Sequence, residues 1–278
     1  MVPIANTIVD DLDHGHASSS SSVLLVTIWE LGEAAGPLLI APISELYGRY
    51  LVINIANTLF TAFTVLAAVS PTTGVLISAR ALTGLAVATN VLSPAIVGDI
   101  FASEQRGTAM SLISLAPLIG GAAGPAIAGA IAQTLGWRKA LWMSAVLAGA
   151  CEVAFLLCFR ETYRVEILKQ KAARLRKETG NSVLRSEFDA EEGGHSWQLI
   201  GETILRPLIV LKSSFALQIL ALFGSFTFAY FYIMSTTLPP ILQQFYDFTP
   251  AATGLAFLAF SWYPAALPRS ARLKLQDS

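Results

Sequence analysis

Four stretches of this 278-residue chain, 51–79, 81–98, 107–137 and 213–246, contain no Asp, Glu, Lys or Arg. A helix needs roughly 20 consecutive mostly apolar residues to cross the hydrocarbon core of a bilayer. Lipid offers no hydrogen bonds to the backbone, so each such stretch must satisfy its own amides and carbonyls as a helix. Strands of a membrane barrel would instead show segments of about 10 residues alternating in polarity, and that alternation is absent. With 54% hydrophobic and 13% charged residues, against about 25% charged in an ordinary soluble domain, the chain reads as an all-α polytopic membrane helix bundle.

Apolar runs place spans at about 23–43, 51–69, 74–98, 109–135, 140–159 and 215–238, with a short apolar piece at 254–267. One connection is long. Residues 160–212 hold ten of the eighteen Lys and Arg residues and eight acids, and divide the chain. The organisation expected is a segment 1–22 outside the membrane, a bundle 23–159, a cytoplasmic linker 160–212, the start of a second bundle 213–260 and a tail 261–278. Within the linker, Val165, Ile167, Leu168, Ala172 and Leu175 among charges predict an amphipathic helix along the membrane surface. The Glu-Gly-Gly-His stretch that follows Glu191 predicts a loop. Basic residues accumulate on the cytoplasmic side. With the linker inside, the turns at 44–50 and 99–106 also lie inside, and Arg138 and Lys139 are the outer exceptions. The same count puts the N-terminus outside, which leads to the expectation that a segment is missing upstream.

Charges within the spans are the candidates for function. An arginine at membrane depth costs about 2.5–3.5 kcal/mol on insertion scales and ordinarily faces a cavity and a partner. Arg80 is such a residue, although an arginine near the outer headgroups can also snorkel to them. Glu30 and Glu33, three apart, share one helix face with Gly36. Two poorly solvated carboxylates repel each other, a setting in which one can load and release a proton or attract a cationic substrate. The plain alternative is contact with other helices or with the wet outer interface. Glu152 is expected to make a packing hydrogen bond. Gly120, Gly124 and Ala128 recur every four residues, as do Gly121, Pro125 and Gly129, the pattern of close helix contact. No phosphate loop, zinc-protease motif or defensible nucleophile set occurs, so no catalytic or metal-ligating residue and no cofactor is assigned. Cys151 and Cys158 are expected as packing residues, and His14 and His16 as a solvated pair without further ligands.

The residues also resemble a known family. Gly36-Pro37-Leu38 followed by Ala41-Pro42-Ile43-Ser44-Glu45-Leu46-Tyr47-Gly48-Arg49 resembles the loop between the second and third spans of major facilitator transporters, in its fungal form. Relative to the general loop, Gly48 and Arg49 are kept, Glu45 preserves the charge, and Tyr50 replaces a basic residue. Further matches follow in the family's order. Leu76, Arg80 and Gly84 resemble the fourth-span motif, whose arginine is implicated in proton coupling. Gly98, Asp99, Ile100 and Phe101 with Glu104, Arg106 and Gly107 resemble the next cytoplasmic loop. Gly120 through Gly129, including Gly124 and Pro125, is similar to the fifth-span antiporter motif, with Ala128 in place of one glycine. Gly136-Trp137-Arg138 with Trp142, and Arg160-Glu161-Thr162-Tyr163, resemble the flanks of the sixth span, and Arg206-Pro207 and Phe245-Tyr246-Asp247-Phe248 those of the seventh.

The resemblance implies a partial major facilitator fold, containing spans two to seven and a stub of the eighth, as in a truncated member of the drug:proton antiporter branch. A full transporter of this type has two six-helix halves around a midplane substrate site. It further implies proton-coupled export of drug-like or cationic small molecules by alternating access, in a multi-pass protein of the plasma membrane or, alternatively, the vacuolar membrane. The expected partners are an unidentified small-molecule substrate, protons and the lipid bilayer, with no nucleic acid. Glu30, Glu33 and Arg80 would be cavity charges, and Glu45, Gly48, Arg49, Asp99, Glu104 and Arg106 inner-gate residues. Gly84, Gly120, Gly124, Pro125 and Gly129 would be helix-packing positions. The rival readings are a non-transporting membrane fragment, a facilitator-type importer and an intramembrane enzyme.

Overall fold

A computed structural model of the chain describes residues 4–13, 19–87, 89–181 and 209–262, and the single positions 184, 186 and 205. Every regular element among them is helical. Chain order gives α1 (Ala5–Leu12), α2 (Ser19–Tyr47), α3 (Arg49–Ala68), α4 (Thr73–Leu85), α5 (Thr89–Ile100), α6 (Ser103–Leu135), α7 (Trp137–Cys158), α8 (Arg164–Thr179), α9 (Phe215–Phe245) and α10 (Pro250–Trp262). Five of these, α2, α3, α6, α7 and α9, are long and apolar enough to cross a membrane. Their outward faces carry Leu31, Leu118, Val146, Leu157 and Phe223, all more than half exposed, as lipid-facing side chains should be. Several polar side chains inside the spans bond back to their own helix. Asn54 donates to the Tyr50 carbonyl at 2.6 Å, Thr64 to Phe60 at 2.7 Å and Thr83 to Ala79 at 2.7 Å. Each such donor is satisfied without needing a neighbouring helix.

Three elements differ from the apolar runs. The run at 74–98 is two helices, α4 and α5, and just past the end of α4 the Val87 amide turns back to the Gly84 carbonyl at 3.1 Å. Second, the segment before the first long span is not a plain tail. Ile4, Ala5, Ile8, Val9 and Leu12 fall on one helical face, and in α1 Ile8 and Val9 are fully buried against Leu25, Leu76 and Trp137. Third, α2 starts at Ser19, inside the segment 1–22 expected to lie outside the membrane. The predicted amphipathic helix of the linker is α8, which has no buried residue. The Glu-Gly-Gly-His stretch, His14, His16, Arg206 and Pro207 lie outside the described residues, as does the tail beyond Trp262.

The helices pack along seams of small residues. A Cβ on Gly32 would stand 2.8 Å from the Leu85 amide nitrogen, and one on Gly36 3.2 Å from the Leu85 carbonyl carbon. A Cβ on Gly84 would run into the Trp29 carbonyl and stand 3.1 Å from the Glu33 nitrogen. The α2 and α4 backbones therefore touch, and no larger residue fits between them. A second seam joins α6 to α10, where Cβ atoms on Gly129 and Gly254 would collide with the carbonyls of Pro250 and Pro125. At Gly120 and Gly124 a Cβ would meet nothing within 4 Å.

Two buried or reactive groups depart from expectation. Glu152 is 7% exposed, and neither carboxylate oxygen has a hydrogen-bond partner among the described residues, so the expected packing bond is not made there. Cys151 and Cys158 are free and exposed on α7 rather than packed.

The seams predict opposite signs for one substitution. Gly120→Ala should be neutral or stabilise by up to ~1 kcal/mol, since alanine is the better helix former. Gly84→Ala should instead destabilise by about 1–3 kcal/mol through overpacking. The thermal midpoints of the two detergent-solubilised variants check this.

Candidate functional site

Gly84 also sets the geometry of the first cluster. One turn before it on α4 lies Arg80, and the contact of Gly84 with the Trp29 backbone brings Arg80 level with Trp29 and Glu30 of α2. The guanidinium carbon lies over the Trp29 ring, 5.6 Å from its centroid, within the range of a cation–π contact. It is also within electrostatic reach of Glu30. The Arg80 Nε is buried without a hydrogen-bond partner among the described residues. Arg80 thus sits on an aromatic face inside the bundle rather than extended toward headgroups. Glu30 and Glu33 are half-buried, and the two carboxylates interact electrostatically. Tyr232 of α9 lies within electrostatic reach of Glu30. Tyr232 is itself held by aromatic neighbours, stacked with Phe228 at 6.3 Å and edge-on to Phe231 at 5.4 Å between centroids. Four residues therefore converge from three helices: Trp29, Glu30, Arg80 and Tyr232. Sequence reading singled out two of them. It missed Trp29 and Tyr232 because aromatic residues are common in spans, and no spacing marks which one meets a charge.

A second cluster lies at the other end of these helices, on the side expected to face the cytoplasm. Arg49 is 6% exposed; its NH1 donates to Ser44 Oγ at 2.7 Å and its Nε stands 3.5 Å from Asp99 Oδ2. The guanidinium also lies 5.1 Å from the centre of the Tyr163 ring. The residue that organises the cluster is Glu161, which the sequence reading placed only among the flanks of a span. Its Oε1 accepts from the backbone amides of Arg49 at 3.1 Å, Thr162 at 2.9 Å and Tyr163 at 2.8 Å, and its Oε2 from Tyr50 at 3.0 Å. The first amides of a helix have no partner within it, and a negative charge there is favoured by the helix dipole. Glu161 thus caps α3 from 112 residues away. Gly48, with φ of 89°, occupies a backbone region that disfavours side chains, and a Cβ on it would strike the Glu161 carboxylate.

The remaining inner-loop candidates are placed differently. Arg106 donates from Nε to the Phe101 carbonyl and from NH2 to the Gly98 carbonyl, both at 3.0 Å, and so closes the turn between α5 and α6. Glu104 is exposed in the first turn of α6, where its charge complements the helix dipole. Glu45 is exposed and acts on Tyr163 through its charge. Burial first, and then the Glu45 charge, push the Tyr163 hydroxyl above the ordinary phenol range. Beside this cluster a cavity of about 600 Å³ opens between Tyr50, Phe159, Arg160, Glu161 and Glu166.

At the opposite end, Trp137 Nε1 donates to Asp11 Oδ2 at 2.9 Å and Thr73 Oγ1 to Asp13 Oδ1 at 2.7 Å. Arg138 donates to the carbonyls of Ala68 at 3.2 Å and Ser70 at 2.9 Å, a cation at the C-terminal end of α3. The acidic first segment is thereby clasped to α4 and α7.

The arrangement, a charged centre within lipid-spanning helices and a charged loop at one end, accords with the comparisons. The sequence profile described as Major Facilitator Superfamily matches residues 1–273. The chain belongs to the Major Facilitator Superfamily. As a member of that superfamily it is a multi-pass membrane protein with a partial major facilitator fold. It is 38% identical over 268 residues to a protein named efflux pump radE of Floropilus chiversii, an alignment covering 93% of this chain and 49% of that one. It is 37% identical over 247 residues to the MFS-type transporter penM of Penicillium rubens, covering 88% and 48%. With the MFS-type transporter atr4 of Stereocaulon alpinum the identity is 36% over 236 residues, covering 84% and 42%. The chain spans about half the length of these relatives.

Two predictions come from the inner cluster. Glu161→Ala should destabilise the protein by about 1.5–3 kcal/mol, the range for hydrogen bonds to a charged group. Glu104→Ala, on an exposed turn, should shift the thermal midpoint far less. Because Tyr163 ionises later in the fold than in the unfolded chain, its contribution to stability is fully present below the ordinary phenol pKa of about 10. It is lost as pH rises through the higher folded-state value. Alkaline unfolding of Tyr163→Phe compared with wild type, with a smaller loss of stability in the variant, is the check.

Proposed function

We propose that this chain forms part of a proton-coupled exporter of small drug-like or cationic molecules that works by alternating access. The observation that carries the reading is the placement of Arg80 of α4 over Trp29 and beside Glu30 of the long apolar helix α2, with Tyr232 of α9 in electrostatic reach. Ionisable groups at this depth are costly, and a carboxylate beside a guanidinium gives a proton a place to bind and a charge to displace. Glu30 and Glu33 serve as proton-accepting groups, and Arg80 as the fixed charge that tunes them. Trp29 and the aromatic residues around Tyr232 present faces on which a planar or cationic molecule can rest. Arg49, Asp99 and Glu161 form the inner contact that makes and breaks as the cytoplasmic side opens and closes. Gly84 and Gly129 are the close-packing positions that let the helices move as rigid units, with Gly120, Gly124 and Pro125 on the same helix as Gly129. The export direction and the antiporter assignment are supported by the resemblance of the fifth-span motif and by the name of one relative as an efflux pump. The membrane expected to hold it is the plasma membrane.

The test is efflux from vesicles carrying the complete transporter, under imposed pH gradients. Glu33→Gln and Arg80→Ala should reduce gradient-driven efflux at least tenfold while leaving the protein in the membrane. Wild-type efflux in both variants at every gradient would remove these residues from the mechanism, and net accumulation in the opposite direction would make the protein an importer.

A further inference from the structure

The basic helix α8 ends on an exposed hydroxyl. Arg164, Lys169, Lys171, Arg174, Arg176 and Lys177 stand on it against two acids, Glu166 and Glu178, and none of its residues is buried. Its last residue is Thr179, with Arg176 three and Arg174 five residues before it. Only two arginines in the whole sequence have a serine or threonine at the third position after them: Arg176, and Arg80, whose Thr83 is 3% exposed within the helix bundle. The accessible one of these hydroxyls is therefore Thr179. Its Oγ1 donates to the Leu175 carbonyl at 2.7 Å, and Gly180, with φ of 66°, ends the helix directly after it.

We propose that Thr179 is a phosphorylation site for a protein kinase that selects arginines upstream of the residue it modifies. Carboxylates in a kinase cleft make such a selection, because a guanidinium pairs with a carboxylate in a bidentate, directional way. Arg174 and Arg176 supply two such groups on one side of the hydroxyl. A kinase cleft takes its substrate extended, so the last turns of α8 have to open, and little opposes that. No core contact is lost, since no residue of the helix is buried. The Arg174–Glu178 pair, 2.7 Å apart, is largely exposed, a setting in which an ion pair adds little. In the reaction Thr179 Oγ1 attacks the γ-phosphorus of ATP. The Oγ1–P bond forms as the bond from that phosphorus to the β,γ-bridging oxygen breaks; ADP leaves, and the hydroxyl proton passes to the carboxylate base of the kinase. The ester can no longer donate to the Leu175 carbonyl. It brings about −1.5 to −2 charge to a helix C-terminus whose dipole is already negative, so the last turn of α8 weakens. The inference uses the expected cytoplasmic placement of the linker, the side that holds ATP, and needs no particular transported substrate.

The test reads covalent modification and not transport. The full chain is expressed in eukaryotic cells, recovered from the membrane fraction with phosphatases inhibited, and cleaved after Lys and Arg. The fragment from Glu178 to Arg185 contains two hydroxyl residues, Thr179 and Ser182, and fragmentation mass spectrometry separates them. In the wild-type protein the fragment should carry one phosphate, on Thr179, and phosphatase treatment should remove it. Arg176→Ala keeps the acceptor and should lower the phosphorylated fraction at least tenfold, with Arg174→Ala lowering it several-fold. Ser182→Ala should leave it unchanged, and Thr179→Val should abolish it. All four positions lie outside the spans, so the variants should reach the membrane in equal amount. An unmodified fragment from the wild-type protein would overturn the proposal. So would phosphate on Ser182 instead, or a phosphorylated fraction that ignores Arg176→Ala.

Discussion

The contact between the backbones of α2 and α4, through Gly32, Gly36 and Gly84, is the interaction on which the charged centre depends. In a bilayer the apolar surface of a helix gains little by leaving lipid for another helix, so close van der Waals approach has to do what hydrophobic burial does in water. Glycine permits that approach because it has no Cβ. At this seam the Trp29 carbonyl lies against the Gly84 Cα, and Arg80, one turn earlier, falls over the Trp29 ring. A bulkier residue at Gly84 would lift α4 from α2 and separate the guanidinium from both the indole and Glu30.

The two ends of the bundle are held by a different force. At the end that carries Arg49 one carboxylate, Glu161, takes four backbone amides and closes the start of α3. At the opposite end Asp11, Asp13 and Arg138 join side chains and carbonyls of α3, α4 and α7. Helix termini are where backbone groups lack partners, and a terminus at the edge of the hydrocarbon has less water to turn to. Charged side chains from distant parts of the chain fill that need. The centre of the bundle is thus fixed by shape, and its ends by charge.

Much of this architecture was legible in the residues alone. Charge-free runs dictated helices across the membrane, and the spans expected near 51–69, 109–135 and 140–159 correspond to α3, α6 and α7. The break between α4 and α5 was not legible, because both sides of it are apolar and hydropathy carries no sign of a turn. The helix α1 was legible in principle from the spacing of Ile4, Ile8 and Leu12. Its three aspartates, Asp10, Asp11 and Asp13, lower the mean hydropathy of the segment and mask that face. Of the charged centre, Glu30 and Arg80 stood out because charge is rare at that depth, whereas Trp29 and Tyr232 had no such contrast with their surroundings.

The sequence by itself therefore determined that the chain is helical, that it lies in lipid, and which few positions hold charge at depth. These follow from local rules, since a stretch without charge must close its own hydrogen bonds whatever surrounds it. Only the tertiary structure decided the partners: Glu161 with the start of α3, Arg49 with Asp99, and Arg80 with Trp29. Those pairings depend on how closely helices approach and at what height, which is set by missing Cβ atoms and by contacts between residues far apart in the chain.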